Sequence, residues 1–263
     1  MIPDKQDQKP ASVYDAIAEF YDAWSGSVVE DIGFYVNLAQ AAGGRVIELG
    51  VGTGRIAVPV AQLGIEVTGI DSSQAMLDLC ADRAMQTGVR QLLDLRLGDL
   101  RAPPDIGAVP LVMVPFRSYL HLENDAERLA ALRAAFSLLE PGGQLVFDVF
   151  RPSTRDVTET HGKWLEREPG IWERADWDTV AQELVLSVRR ERDETVMHLH
   201  WAEVEDWRLL LLVAGFEVVG EFGWFDRRPL ARGEDMIWIA RRPVDPAAGL
   251  PEVPAPRLHK ASG

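Results

Sequence analysis

The residues best placed to do chemistry begin at a glycine-rich turn, Val46-Ile47-Glu48-Leu49-Gly50-Val51-Gly52-Thr53-Gly54-Arg55. Glycines so closely spaced let backbone approach a ligand, because a Cβ there would clash or forbid the required φ. A dinucleotide-binding turn wants a further glycine where this chain has Arg55, so that the following helix can pack beside a pyrophosphate. A nicotinamide cofactor is therefore disfavoured. Glu48, two residues before Gly50, suits a cationic ligand group, directly or through water, and does not suit a diphosphate. Asp71 closes the next apolar run, Val67-Thr68-Gly69-Ile70-Asp71-Ser72, where its two oxygens can accept both hydroxyl hydrogens of a ribose. Asp99, in Leu97-Gly98-Asp99-Leu100, can accept from an exocyclic adenine amine, with Met76 over the ring face. Either aspartate alone could equally be a loop cap. In this order and spacing they describe a nucleoside site, to which Ser72, Gly54, Leu100 and Val114 are added as flanking positions.

Such groups need a sheet edge to hold them. Short apolar runs at 45–49, 66–70, 93–97, 109–114 and 144–150 read as strands separated by helices or loops. The clearest helix has Asn124 as N-cap, Leu129, Leu132, Phe136 and Leu139 on one face, and Pro141-Gly142-Gly143 as its stop. Two further helices are expected between Ala11 and Gly43. Alternating strands and helices imply a parallel, doubly wound α/β sheet that binds ligands at the carboxyl ends of its strands. After Phe150 the pattern changes to Trp-rich segments with period-2 alternation, such as Leu184–Val188 and Val196–His200, read as an antiparallel insertion over 151–201. A helix near 203–214 and strands near 216–222 and 236–241 then close the sheet within one domain, 11–242. The segments 1–10 and 243–263 lack apolar periodicity and are expected to be disordered or flexible.

The chain at this point resembles the class I S-adenosylmethionine (AdoMet)-dependent methyltransferases, through Glu48 to Gly54, Asp71 and Gly98-Asp99. The resemblance implies AdoMet as cofactor, its α-amino group near Glu48, and the strand order 3-2-1-4-5-7-6 with strand 7 antiparallel. Two more segments, Ile17-Ala18-Glu19-Phe20-Tyr21-Asp22 and Pro115-Phe116-Arg117-Ser118-Tyr119-Leu120-His121-Leu122, look like those of small-molecule N-methyltransferases, including enzymes that dimethylate nucleotide-linked amino sugars. That likeness implies that Tyr21 and His121 lie beside the methyl-transfer centre. Arg117 stands where the group usually has a small polar residue, and the Trp-rich insertion has no counterpart in the pattern.

Methyl transfer from a sulfonium is an in-line displacement without a covalent enzyme nucleophile, so the protein mainly aligns and desolvates the acceptor. A histidine with a pKa of about 6.5 can take the proton an amine loses, and a tyrosine hydroxyl can orient the lone pair. His121 is the expected base and Tyr21 the expected orienting group, although His121 could instead cap the helix that follows it. Tyr14, seven residues before Tyr21 on the same helical face, belongs either to the core or to the pocket wall. With Trp24 and Phe116 it completes the candidate acceptor-binding set.

The 263 residues carry 27 Lys plus Arg against 41 Asp plus Glu, a formal charge of -14 that repels polyphosphate backbones. Nucleic acid is thereby disfavoured as a partner, and a neutral or cationic small molecule is expected. No signal segment or membrane span is visible, which places the expected location in the cytoplasm. The single cysteine, Cys80, is expected to be a packed thiol. His198 and His200 share one strand face without a third ligand at metal-binding spacing, so no metal is expected. Arg227, Arg228 and Arg232 are either exposed loop charges or holders of a phosphate-bearing substrate. The insertion is expected to be either a cover over the substrate or, through its exposed edges, a homodimer element. Transfer to oxygen, AdoMet binding without turnover, and a dehydrogenase remain the alternatives on residues alone.

Overall fold

The computed structural model describes residues 12–26, 29–230 and 234–244. Along the chain run α1 (Ala18–Ser25), α2 (Glu30–Ala42), β1 (Val46–Leu49), α3 (Ala57–Gln62), β2 (Val67–Asp71), α4 (Gln74–Gln86), β3 (Leu93–Leu97), β4 (Val109–Val114) and α5 (Asp125–Ser137). There follow β5 (Leu139–Arg151), α6 (Thr154–Thr160), β6 (Trp164–Glu168), β7 (Ile171–Asp178), β8 (Glu183–Arg190), β9 (Asp193–His200), α7 (Val204–Val213), β10 (Glu217–Phe222) and β11 (Glu234–Arg241). The expected disordered stretch 1–10, the expected flexible tail 243–263 apart from residues 243 and 244, and Arg232 lie outside the described residues.

Seven strands form one sheet in the order β3-β2-β1-β4-β5-β11-β10. β1 pairs in parallel with β2 and β4, and β11 runs antiparallel to both β5 and β10. This is the expected order, with β11 and β10 as its seventh and sixth strands. Because the chain leaves β1 for β2 on one side and later returns to β4 on the other, a crevice opens at the carboxyl ends of β1 and β4.

The central strands are buried on both faces, and the pleat divides them between two apolar layers. Val46, Leu111, Met113, Val146, Ile237 and Ile239 pack with α2, α3 and α4. Ile47, Val112, Val114, Phe147 and Trp238 pack on the opposite side, with Leu132 of α5 and Trp207 of α7.

The expected insertion is a separate four-stranded antiparallel sheet, β6-β7-β8-β9. Alternate side chains, Leu184, Leu186 and Val188 of β8 and Met197 and Leu199 of β9, are buried and join the second apolar layer. Among the described residues no helix is long and apolar enough to cross a membrane.

Two local expectations need correction. Pro141-Gly142-Gly143 does not stop α5. The helix ends at Ser137, its Leu138 C-cap amide bonded to the carbonyls of Ala134, Ala135 and Phe136. The Pro-Gly-Gly triplet lies inside β5, where the register with β4 shifts between Val109 and Leu111. Gly142, at φ +88, donates to the carbonyl of Arg242, which in turn donates to Gly143. The turn chemistry there serves an irregular strand start. The helical periodicity read from Val13 begins only at Ala18, since 13–17 is a run of turns. Within that run the Ser73 hydroxyl donates to the Asp15 carboxylate at 2.5 Å.

Candidate active site

The glycine turn leaves β1 with three residues in left-handed backbone, Gly50 (φ +73), Gly52 (φ +53) and Gly54 (φ +78). Gly50 faces the loop after β4, and a Cβ there would sit 2.6 Å from the Ser118 hydroxyl oxygen. Gly54 has another purpose. Its Cβ would lie 2.6 Å from the sulfur of Cys80, so the glycine lets α4 pack against the turn. Cys80 is fully buried, and burial pushes its thiol up to about 12, as expected of a packed side chain.

Asp71 ties the turn to β2. One carboxylate oxygen accepts from the Gly52 amide at 2.8 Å and the other from the Ser73 amide at 2.9 Å. Each oxygen retains a second lone pair. Burial raises the Asp71 pKa, opposed by those backbone donors. Beyond the turn lies a cavity of about 370 Å³. Of the expected cofactor residues, Gly50, Gly52, Asp71, Ser72, Met76, Asp99 and Leu100 line it.

Glu48, Gly54 and Val114 lie outside that wall. Val114 is completely enclosed at the end of β4. Glu48 is buried, and its Oε2 has no hydrogen-bond partner among the described residues. Burial drives its pKa well above the ordinary carboxylate range, with Arg55 the opposing influence. Asp99, the expected acceptor for an adenine amine, is gripped by Arg101, whose Nη2 lies 2.6 Å from Oδ2 and whose Nη1 reaches Glu127 at 2.5 Å. Arg101 and Ser118 line the cavity and were not expected there. Arg101 is a lone exposed-type residue in sequence, and only the fold brings Ser118 to Gly50.

A second cavity, of about 590 Å³, lies between the carboxyl edge of the large sheet and the inner face of the small one. Tyr14, Phe116 and His121 line both cavities. Trp24 borders the second and Tyr21 only the first. Tyr14 lies at the junction, its hydroxyl 2.6 Å from His121 Nε2. The three N-terminal rings pack edge to face, Tyr14 on Tyr21 at 5.7 Å and Tyr21 on Trp24 at 5.8 Å between centroids. The segment that carries them is fastened at both ends. The Thr195 hydroxyl of β9 donates to the Val13 carbonyl at 2.7 Å, and the Thr53 hydroxyl of the glycine turn donates to Asp22 at 2.6 Å.

Burial, with a smaller contribution from His200, lowers the His121 pKa to about 4. The ring is therefore neutral at physiological pH, and the expectation of a base near 6.5 does not hold. Burial raises the phenols of Tyr14 and Tyr21, so both stay protonated. Tyr14 and His121 are therefore joined by one hydrogen bond between two uncharged rings, its direction set by the His121 tautomer.

Phe116 and Arg117 are consecutive non-glycine residues in left-handed backbone, with φ of +55 and +65, a conformation that ordinarily costs side-chain-bearing residues energy. Asp148 of β5 holds them. Its Oδ1 accepts from the Phe116 amide at 2.9 Å and the Tyr35 hydroxyl at 2.6 Å, and its Oδ2 from the Arg117 amide at 3.1 Å. Burial raises the Asp148 pKa to about 6. The Arg55 guanidinium lies 4.5 Å from the centre of the Phe116 ring and is itself bound to Asp31 through two bonds, at 2.7 and 2.5 Å.

Arg227 and Arg228 line neither cavity, Arg228 being paired with Asp226 at 2.6 Å. His198 Nδ1 lies 2.6 Å from Glu183, and among the described residues no three potential ligands are grouped for a metal.

Residues 46–143, from the start of β1 to the glycines of β5, match the family described as a methyltransferase domain. The chain is an AdoMet-dependent methyltransferase. The cypemycin N-terminal methyltransferase of a Streptomyces species is 27% identical over 248 residues, covering 88% of this chain and 98% of that protein. The putative methyltransferase YqeM of Bacillus subtilis and a ubiquinone biosynthesis O-methyltransferase of Ruegeria pomeroyi, each 28% identical, align over only 53% and 54% of their own length. Among solved structures, the CcbJ methyltransferase from Streptomyces caelestis superposes with a TM-score of 0.77 at 28% identity, covering 90% of this chain and all of that one. The SAM-bound structure of CalS10, an amino pentose methyltransferase from Micromonospora echinaspora, shares the fold at a TM-score of 0.59 and 20% identity, with 90% and 99% of the two chains covered.

The methyltransferase's own residues fit AdoMet. A buried carboxylate with an unmet acceptor atom, Glu48, suits an ammonium group. The Gly50 and Gly52 backbone leaves a cradle that a Cβ on Gly50 would invade. Asp71 has acceptor capacity beside it for a diol.

Proposed function

We propose that this methyltransferase methylates an amine nitrogen of a small molecule. The observation that carries the reading is the Tyr14–His121 pair, uncharged and placed where the two cavities meet. AdoMet supplies a methyl group on a sulfonium, an electrophile that a lone pair attacks in line. A neutral amine brings that lone pair itself. Its electrons form the N–C bond, the S–C electrons remain on sulfur, and the product ammonium later sheds its proton to water. No side chain need take a proton before transfer. The work of Tyr14 and His121 is to accept or donate a hydrogen bond that aims the nitrogen, with Phe116 and Trp24 walling it from water and Tyr21 bracing Tyr14 from the cofactor side.

A hydroxyl acceptor is less well supported, because it must lose its proton to a base, and a histidine near 4 is a weak one. The 27% identity to a protein named for N-terminal methylation supports the same choice. In this reading Glu48, Gly50, Gly52, Asp71, Ser72, Met76 and Leu100 hold the cofactor, the β6–β9 sheet covers the acceptor, and the edges β6 and β9 are where two copies would pair. Methyl-labelled AdoMet offered with panels of amines and of phenols, followed by NMR location of the label, tests the chemistry. Label on nitrogen supports the proposal, and label on oxygen overturns it. Light scattering on the purified chain reads the dimer.

A further inference from the structure

The second cavity also describes what the amine is attached to. On the N-methylation reading above, we infer that the acceptor's amine is borne by a larger body with an apolar face and no phosphate. Size is the first argument. A volume of about 590 Å³ is that of a site for a drug-sized molecule rather than a single sugar ring. Its floor is the second. Ala175, Leu184, Leu186, Met197 and Leu199, all inward positions of β7, β8 and β9, line it, and Phe150 lines it from β5. A monosaccharide would leave most of that apolar surface wet, whereas an apolar body would remove it from water.

Charge is the third argument and separates this acceptor from a nucleotide-linked one. Among the described residues that line the cavity the guanidinium groups are Arg117, Arg151 and Arg167. Each is already committed. Arg117 pairs with Asp235 at 2.8 Å, Arg167 with Glu173 at 2.6 Å, and Arg151 with Glu203. The lining carboxylates, Asp156, Glu168, Glu173 and Asp235, outnumber the three arginines. The first turn of α6 offers no substitute, because Ser153 and Asp156 cap it reciprocally. A diphosphate would have to break these pairs within a chain of formal charge -14. A neutral or cationic body would not.

Calorimetric titration of the protein loaded with S-adenosylhomocysteine (AdoHcy) tests this with one amino sugar in three forms: free, as its naphthyl glycoside, and linked to a nucleoside diphosphate. The naphthyl glycoside should bind at least tenfold more tightly than the free sugar, and the nucleotide-linked form no more tightly than the free sugar. Met197→Ala and Leu186→Asp should reduce the naphthyl gain severalfold while AdoHcy affinity, a check on the fold, stays unchanged. An equal affinity for the free and naphthyl forms, or tighter binding of the nucleotide-linked form, overturns the inference. Location of the methyl group in any product is read separately, so a methyl on oxygen would defeat the amine reading while leaving the binding result to judge the body.

Discussion

The two cavities are built from different materials. The proposed cofactor cavity is shaped on one side by backbone, where left-handed Gly50 and Gly52 and the amides held by Asp71 form a turn between β1 and α3. The acceptor cavity is made by side chains from α1, the loop after β4, β5 and the small sheet, which meet only through tertiary packing. A backbone site is all-or-none with respect to a Cβ. A side-chain site is graded, because each wall residue can be exchanged for one of another size. One enzyme can thereby hold its cofactor geometry fixed while the acceptor varies.

The sharpest way to break that contrast is Gly50→Val. The added carbons meet Ser118 and the φ is left-handed, so AdoHcy binding should weaken at least 100-fold by calorimetry. Gly170→Ala, at φ +77 but in open space, should leave it unchanged. Retained binding in Gly50→Val would show that the turn is not a cofactor cradle.

Next in size is Asp148→Asn. The amide replaces one acceptor oxygen with a donor that faces a donor, while Tyr35 and one backbone amide can still be satisfied. A buried donor left unmet costs about 1–3 kcal/mol. We expect kcat to fall roughly 10- to 100-fold with AdoHcy affinity within about threefold of wild type. Equal losses in both would mean that Asp148 supports the whole fold rather than the junction.

A smaller effect comes from His121. Its folded pKa, about 4, lies below the ordinary 6.5, so the unfolded chain binds the extra proton. The stabilising contribution is complete above pH 6.5 and is lost as pH falls through the interval towards 4. At pH 5 the loss is about 2 kcal/mol. Asp148 acts in the opposite sense, since its pKa of about 6 makes protonation favour the folded state as pH falls below 6. His121→Gln should therefore remove the acid sensitivity contributed by the ring, and urea unfolding at pH 7.5 and 5 should show the variant gaining about 2 kcal/mol on wild type between the two. Parallel changes in the two proteins would mean that the ring titrates normally.

The smallest effect is expected from Gly54→Ala. It should lower stability by about 1–2 kcal/mol through left-handed strain and contact with Cys80. Part of this should return in Gly54→Ala/Cys80→Ala. A full loss of AdoHcy binding without loss of stability would make Gly54 a cofactor residue after all.

The cofactor side was legible because its signals are local. Gly50, Gly52 and Asp71 announce themselves within a few residues of the strand ends that carry them, and strand alternation fixed their edge of the sheet. The order of the seven strands followed from the family resemblance. The junction was less legible because it depends on distance in sequence. Tyr14 and His121 are separated by 107 positions, and nothing near Tyr14 distinguishes a pocket wall from a core position. Asp148 reads as an ordinary strand residue until the loop of Phe116 and Arg117 folds over it. The lowered pKa of His121 arises from burial by β9 and other elements, which no spacing rule contains. Arg101, finally, looks like a surface charge and is spent on the aspartate expected to meet adenine.

The N-terminal segment that spans from the Thr195 hydroxyl to Thr53 has a thermodynamic consequence. Tyr14 is a wall of both cavities, so an occupant of one that shifts this ring reshapes the wall of the other. Any factor by which bound cofactor tightens the acceptor must equal the factor by which acceptor tightens cofactor. The affinities for cofactor and acceptor are then linked to the extent that a ligand in one cavity moves Tyr14, a residue on a stretch of chain that belongs to neither sheet.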